Sequence, residues 1–211
     1  MTVEELRAAL AIAREPRFPA SSVEGARPAA VVLALELQPL RLLVVQRATT
    51  LADHAGELAF PGGKPESADV DLRATAAREL EEECGVAPAG LDWLGQLLPC
   101  PVITGRFLIH PFVAALPAGA APRAASGEVA RVLWLELEPL LAGSQRYGAV
   151  RGSWRGVDLL TPHFMVGSAL MYGASAAIAH DLLWRIAAQR GQPLPEPELT
   201  HDAVWGDRYK I

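Results

Sequence analysis

The chain has only two cysteines, Cys84 and Cys100, among its 211 residues. They stand neither in a Cys-x-x-Cys spacing nor beside histidines at metal-ligand spacing, which excludes a disulfide framework or a zinc-type cluster as the organising device. Two reduced, partly buried thiols are expected instead. Basic charge is also scarce. Lys and Arg number 19 against 24 Asp and Glu, giving a net charge of −5 and a pI near 5.6. With no general basic field, binding of a nucleic acid through counterion release is excluded, and no basic helix-turn-helix segment is present. Long apolar runs are missing as well. The most hydrophobic weakly charged stretch, residues 164–179, falls short of the roughly 20 residues that cross a bilayer, and its Gly, Ala and Ser content predicts a buried helix. Residues 2–15 carry charges throughout and lack the apolar centre of a secretion signal. No repeat, low-complexity tract or interdomain linker interrupts the sequence. The expectation is a soluble, cytoplasmic protein without nucleic-acid or membrane partners, folded as a single domain over 1–211.

What is present is a large apolar fraction, 51%, with an ordinary 20% of charged residues, enough for a sizeable core without covalent staples. Residues 3–14 put Val3, Leu6, Leu10 and Ala13 on one helical face, and Pro16 and Pro19 end that helix. Residues 29–36 and 40–46 read as two strands around a turn at 37–39. A polar loop, 49–58, leads to the breaker cluster Phe60-Pro61-Gly62-Gly63. Residues 72–84 predict a helix, with Asp69 or Asp71 able to cap its start and Gly85 placed as its left-handed C-terminal residue. Strand-like runs follow at 93–98, 109–116 and 129–135, the last two separated by a Pro/Gly/Ala-rich connector at 117–127. A long helix is expected over 167–189, then an extended tail pinned by Trp205 and Tyr209. Interleaved strands and helices predict an α/β layer architecture.

One segment carries chemistry. In Arg78-Glu79-Leu80-Glu81-Glu82-Glu83-Cys84-Gly85, a turn of about 100° per residue brings Glu79, Glu82 and Glu83 within one arc of the helix. Ala76, Ala77, Leu80 and Cys84 form the neighbouring apolar stripe. Like charges three and four residues apart cost about 0.2–0.5 kcal/mol each, and a hard divalent cation would relieve that repulsion because such ions take carboxylate and phosphate oxygens. A solvated acidic face, with Arg78 paired to Glu82, is the alternative. The glycine pair upstream favours the cation, since backbone without side chains can approach a ligand closely.

These residues resemble the Nudix box, G-x5-E-x7-R-E-U-x-E-E-x-G-U with U aliphatic. Arg78, Glu79, Leu80, Glu82, Glu83, Gly85 and Val86 match its second half. In the first half, Asp69 stands where Glu is usual and the spacer is one residue longer, a variation similar to the coenzyme A pyrophosphatase branch of that superfamily. That branch's upstream signature, L-L-T-x-R-[SA]-x3-R-x3-G-x3-F-P-G-G, is matched at Leu43, Arg47, Ala48, Gly56, Phe60, Pro61, Gly62 and Gly63. It is not matched at Ala52, where the second arginine is lost, nor at Val44 and Val45. Residues 98–111, with Thr104-Gly105, and the run Met171-Tyr172-Gly173-Ala174-Ser175-Ala176 also look like the branch, so the resemblance spans about 28–185.

The resemblance implies an α/β/α sandwich with a mixed sheet and a catalytic loop–helix–loop. It also implies a Mg²⁺- or Mn²⁺-dependent pyrophosphohydrolase acting on a small nucleotide-derived substrate, with coenzyme A as the first candidate and ADP-ribose, NADH or dinucleoside polyphosphates as others. It makes Glu79 and Glu83 the direct metal ligands, Glu82 a ligand or base, and Arg78 the residue orienting the glutamates. Glu128 is a candidate base or extra ligand, or an ordinary loop carboxylate. Arg47, Gly62, Gly63 and His54 are candidates for substrate contact; for Arg47 a surface salt bridge, and for His54 simple solvation, are the alternatives. A Nudix-fold module that binds a nucleotide metabolite without cleaving it is the rival from another class. Monomer and homodimer are both compatible with the sequence.

Overall fold

The computed structural model describes residues 1–15 and 23–200. The order of elements is α1 (Val3–Ala11), β1 (Arg27–Leu37), β2 (Leu40–Arg47), β3 (Leu58–Ala59), β4 (Gly62–Gly63), α2 (Leu72–Cys84), β5 (Asp92–Gln96), β6 (Cys100–Pro101), β7 (Phe107–Ala115), β8 (Val129–Glu136), α3 (Leu137–Leu141), β9 (Gly148–Trp154), β10 (Val157–Val166), β11 (Ala169–Met171), α4 (Gly173–Gln189) and β12 (Glu198–Thr200). The main sheet runs β3-β2-β1-β7-β5, with β4 also on β1, β6 on β7 and β8 on β2. It is mixed, since β1 and β7 are parallel while the other pairings are antiparallel.

Why the sheet is central follows from alternation along its inner strands. On β1, Ala30, Val32 and Ala34 pack with Leu43 and Val45 of β2 against Ala76, Leu80 and Cys84 of α2. The intervening Leu33, Leu35, Leu42 and Val44 pack on the opposite face with Leu6 and Ala9 of α1 and Leu182, Leu183 and Ile186 of α4. Strands covered on both faces need continuous apolar sequence, which is what 30–35 and 42–45 supply. The result is an α/β/α sandwich.

Several boundaries sharpen and one expectation is corrected. The first helix stops at Ala11, and Pro16 and Pro19 lie outside the described residues, as do Trp205 and Tyr209. Asp71, not Asp69, caps α2 by accepting from the Ala74 N–H at 2.7 Å. The buried helix expected over 164–179 is half strand. Phe164–Val166 closes β10, Gly167 turns the chain at φ +60°, β11 returns antiparallel, and α4 begins only at Gly173. Apolar sequence of this length has no period of its own. The hairpin pairing of 164–166 with 169–171, which extends the β10 strand already laddered to β9 through His163, therefore decides the outcome. This second sheet, β11-β10-β9-β12, has no counterpart in the sequence reading. Both cysteines are free and buried. Among the described residues no helix is long and apolar enough to cross a membrane.

Candidate active site

Helix α2 distributes its carboxylates unevenly. The stripe that buries Ala76, Leu80 and Cys84 against the sheet also carries Glu83, three residues after Leu80, and leaves it 6% exposed. Glu79 lies half-buried beside it, whereas Glu82 faces solvent. Burial pushes the Glu83 carboxyl up to about 7; the Gly62 N–H, which donates to it at 3.2 Å, partly opposes this, and the charges of Glu79 and Glu128 add to it. Glu79 is likewise raised by burial, with Arg78 opposing.

The glycine pair is fixed by the sheet. Gly62 and Gly63 pair with Val31 and Ala30 of β1, and Val32 donates to the Pro61 carbonyl at 2.9 Å. A Cβ on Gly62 would enter the β1 backbone, and one on Gly63 would fall on the Glu79 carboxylate. The two glycines therefore let the loop and the helix carboxylates meet.

Arg78 ties the loop to the helix. Its Nη1 donates to Glu79 at 3.1 Å and to Glu82 at 3.0 Å. Its Nε and Nη2 grip both oxygens of Asp69 at 3.1 Å, and Nη2 also reaches the Lys64 carbonyl at 3.2 Å. Asp69 further accepts from the Glu66 N–H at 2.8 Å and from buried Thr75 at 3.0 Å. This was not read from the sequence, although Asp69 occupies the acidic position of the box. Its carboxyl is lowered to about 2, first by the Arg78 hydrogen bond. A depressed folded-state pKa contributes stability that is complete above the unfolded value and lost as pH falls through the folded one. Acid titration should therefore erode wild-type stability between the ordinary value of 3.8 and about 2, and Asp69→Asn should flatten that part of the profile. Parallel profiles for the two proteins would remove Asp69 from the latch.

The connector at 117–127 has a definite task. Arg123 and Ala125 donate their N–H groups to the Cys84 and Glu83 carbonyls at 3.0 Å each, which closes the end of α2. The chain then delivers Glu128, whose carbonyl accepts from Ala48 N–H at 2.7 Å where the β2–β8 ladder shifts register beside Arg47. Glu128 stands 3.8 Å from the Arg47 guanidinium, a loose ion pair, and the Arg47 Nε is buried without a hydrogen-bond partner. His54, on the loop whose ends bond the Arg47 backbone, hydrogen-bonds Glu57 at 2.8 Å, and that bond is the main cause of its raised pKa. Glu79, Glu83, Glu128 and Arg47 thus come together, His54 sits on an adjoining loop turned to Glu57, and Glu82 points outward to Arg78.

Among the described residues no three His, Cys, Asp or Glu side chains already enclose a metal-sized point. The donor chemistry nevertheless fits a hard divalent cation. Glu79 and Glu83 offer carboxylate oxygens, and each is destabilised as an anion by burial and by its acidic neighbours.

A family model for the NUDIX domain matches residues 25–152, which takes in the glycine loop, α2 and Glu128. The chain belongs to the Nudix family. An uncharacterized Nudix hydrolase, NudL, from Photorhabdus laumondii is 34% identical over 172 residues, covering 81% of this chain and 91% of the relative. Its namesake from Salmonella newport is 39% identical over 116 residues, 54% of this chain and 60% of the relative. A solved MutT protein from Methanosarcina mazei shares the fold, with a TM-score of 0.50 and 18% identity across 80% of this chain and 99% of that one. As a Nudix hydrolase, the protein acts on nucleoside diphosphate derivatives.

Proposed function

We propose that this Nudix hydrolase cleaves the pyrophosphate of coenzyme A or a close derivative, giving 3′,5′-ADP and 4′-phosphopantetheine. The observation that carries the reading is the convergence of Glu79, Glu83, Glu128 and Arg47 at the Gly62-Gly63 loop. The coenzyme A assignment rests further on the signature residues Arg47, Ala48, Gly56 and Phe60 that precede this loop in the sequence. In the reaction water adds across one P–O–P link, its oxygen bonding to phosphorus and its two protons passing to the site base and the departing phosphate. Glu79 and Glu83 would hold Mg²⁺ or Mn²⁺. Such an ion, when bound, neutralises phosphoryl charge and makes a bound water more acidic. Glu128, exposed and only loosely paired, takes a proton from the attacking water. Arg47, with its Nε unsatisfied, draws in a phosphoryl oxygen. Arg78 acts through the glutamates it orients.

Ala52 favours a second reading. A phosphate contact from an arginine there would contribute about 1.5–3 kcal/mol, and without it a smaller diphosphate such as ADP-ribose could serve as well. Incubation with coenzyme A, ADP-ribose, NADH and diadenosine polyphosphates in Mg²⁺ separates these. Preferential formation of 3′,5′-ADP and 4′-phosphopantetheine is the expected result. AMP and ribose 5-phosphate as the dominant products would replace coenzyme A by ADP-ribose, and binding without hydrolysis would make the protein a sensor.

A further inference from the structure

Two cations of this acidic chain share one aromatic ring. Arg27, at the start of β1, and Lys64, immediately after β4, both lie over the ring of Phe107, at 4.6 Å and 5.4 Å from its centroid. Among the described residues neither has a carboxylate partner. Arg27 is held there by the parallel β1–β7 register, which sets it opposite Phe107, and by its N–H bond to the Arg106 carbonyl at 3.0 Å. Lys64 is held by its carbonyl, which accepts from Arg78 at 3.2 Å. The tip of the β9–β10 hairpin braces the loop that leads into β7. Trp154 donates to the Ile103 carbonyl at 2.8 Å, and the Arg155 guanidinium lies against Gly105. Three separate elements thus bring Arg27 and Lys64 onto one partly exposed ring, with Lys64 one residue beyond Gly63.

Two cations over one ring repel each other, and the ring's quadrupole offsets only part of that at an exposed site. An anion completes the arrangement, and a phosphate dianion meets guanidinium and ammonium donors together through charge-assisted hydrogen bonds. We infer that Arg27, Lys64 and Phe107 form a subsite for a phosphate monoester carried by the substrate away from the bond that is cut. This rests on the hydrolase reading above and deepens it, since it separates substrates that bear a third phosphate from plain dinucleoside-type diphosphates.

The test compares coenzyme A with dephospho-coenzyme A, which differ by one phosphate monoester, on the Mg²⁺-loaded wild type and on Arg27→Gln/Lys64→Gln. The wild type should prefer coenzyme A. The double variant should lose about tenfold or more in kcat/KM for coenzyme A through KM, leave dephospho-coenzyme A unchanged, and lose most of the salt dependence of the preference. Equal values for the two substrates in the wild type, or an equal decline for both in the variant at unchanged thermal midpoint, would overturn the subsite. If the wild type cleaves ADP-ribose and neither coenzyme, the substrate reading fails separately. The subsite is then judged by inhibition of that reaction: stronger inhibition by 3′,5′-ADP than by 5′-AMP, abolished in the double variant, supports it, and equal inhibition overturns it.

Discussion

Replacing Glu83 by glutamine should lower Mg²⁺-stimulated hydrolysis by about 10²–10⁴-fold, the range for losing a ligand or proton-handling carboxylate, without unfolding the protein. The two effects are separable because Glu83 is a buried acid. Its folded-state pKa, about 7, lies above its ordinary value of 4.5, so folding favours the protonated form. The stability this contributes is complete below the unfolded value and is lost as pH rises through the folded one. At about 1.4 kcal/mol per unit, the loss across that window is at most about 3–4 kcal/mol. Glutamine mimics the protonated acid and keeps an oxygen for the Gly62 N–H. Urea midpoints for Glu83→Gln should therefore match the wild type near pH 5 and exceed it near pH 8, while turnover collapses at both. Added Mg²⁺ should raise the wild-type midpoint near pH 8 and leave that of the variant nearly unmoved. Unchanged turnover would remove Glu83 from the site, and a lower midpoint at both pH values would reduce the activity loss to a folding defect.

The same residue marks where sequence was sufficient and where it was not. The bounds of α2, its C-terminal Gly85 and the strands before it follow from local chemistry: an aspartate cap, a left-handed glycine, and apolar runs too continuous for a one-sided sheet. The division of labour among three glutamates does not. Helical geometry alone puts Glu79, Glu82 and Glu83 on one arc, and only the sheet determines that Leu80 and Cys84 carry Glu83 inward while Glu82 stays wet. Glu128 and Arg47 meet through a register shift between strands some eighty residues apart in sequence, and no local pattern encodes that. Residues 164–171 form strands instead of the expected helix for the same reason, because this apolar stretch becomes strand only by folding back on itself across Gly167 as a continuation of β10. Asp69 was visible as the acidic position of the box, but its capture by Arg78 depends on the path of the loop between Gly63 and α2.

That loop yields the second large effect, which differs at adjacent positions. At Gly62 an added Cβ would stand 2.7 Å from Val31 Cα and Cγ1 and closer still to the Ala30 carbonyl. These are atoms of β1, which is itself paired to β7 along nine residues, so the inner strand cannot yield cheaply. Gly62→Ala should cost about 1–3 kcal/mol of stability, the usual range for overpacking, and should loosen the N–H bond that restrains Glu83. At Gly63 the three atoms nearest the added Cβ all belong to the carboxylate of Glu79, the far end of a flexible side chain. A rotamer change there costs about 0.5–1.5 kcal/mol, so Gly63→Ala should fold nearly as well as wild type. It should nonetheless lose about 10²-fold in turnover, because displacing a reacting group by about 1 Å has that effect, and half-saturation should need more Mg²⁺. Denaturant midpoints and Mg²⁺ titrations of the two variants distinguish these outcomes. A Gly63→Ala enzyme with wild-type turnover and Mg²⁺ requirement would show that the position of Glu79 is not critical. A Gly62→Ala protein with wild-type stability would show that β4 can move off β1 freely. The predicted pattern, a stability defect at the first glycine and a metal-site defect at the second, arises only if the loop serves the sheet through Gly62 and the carboxylates through Gly63.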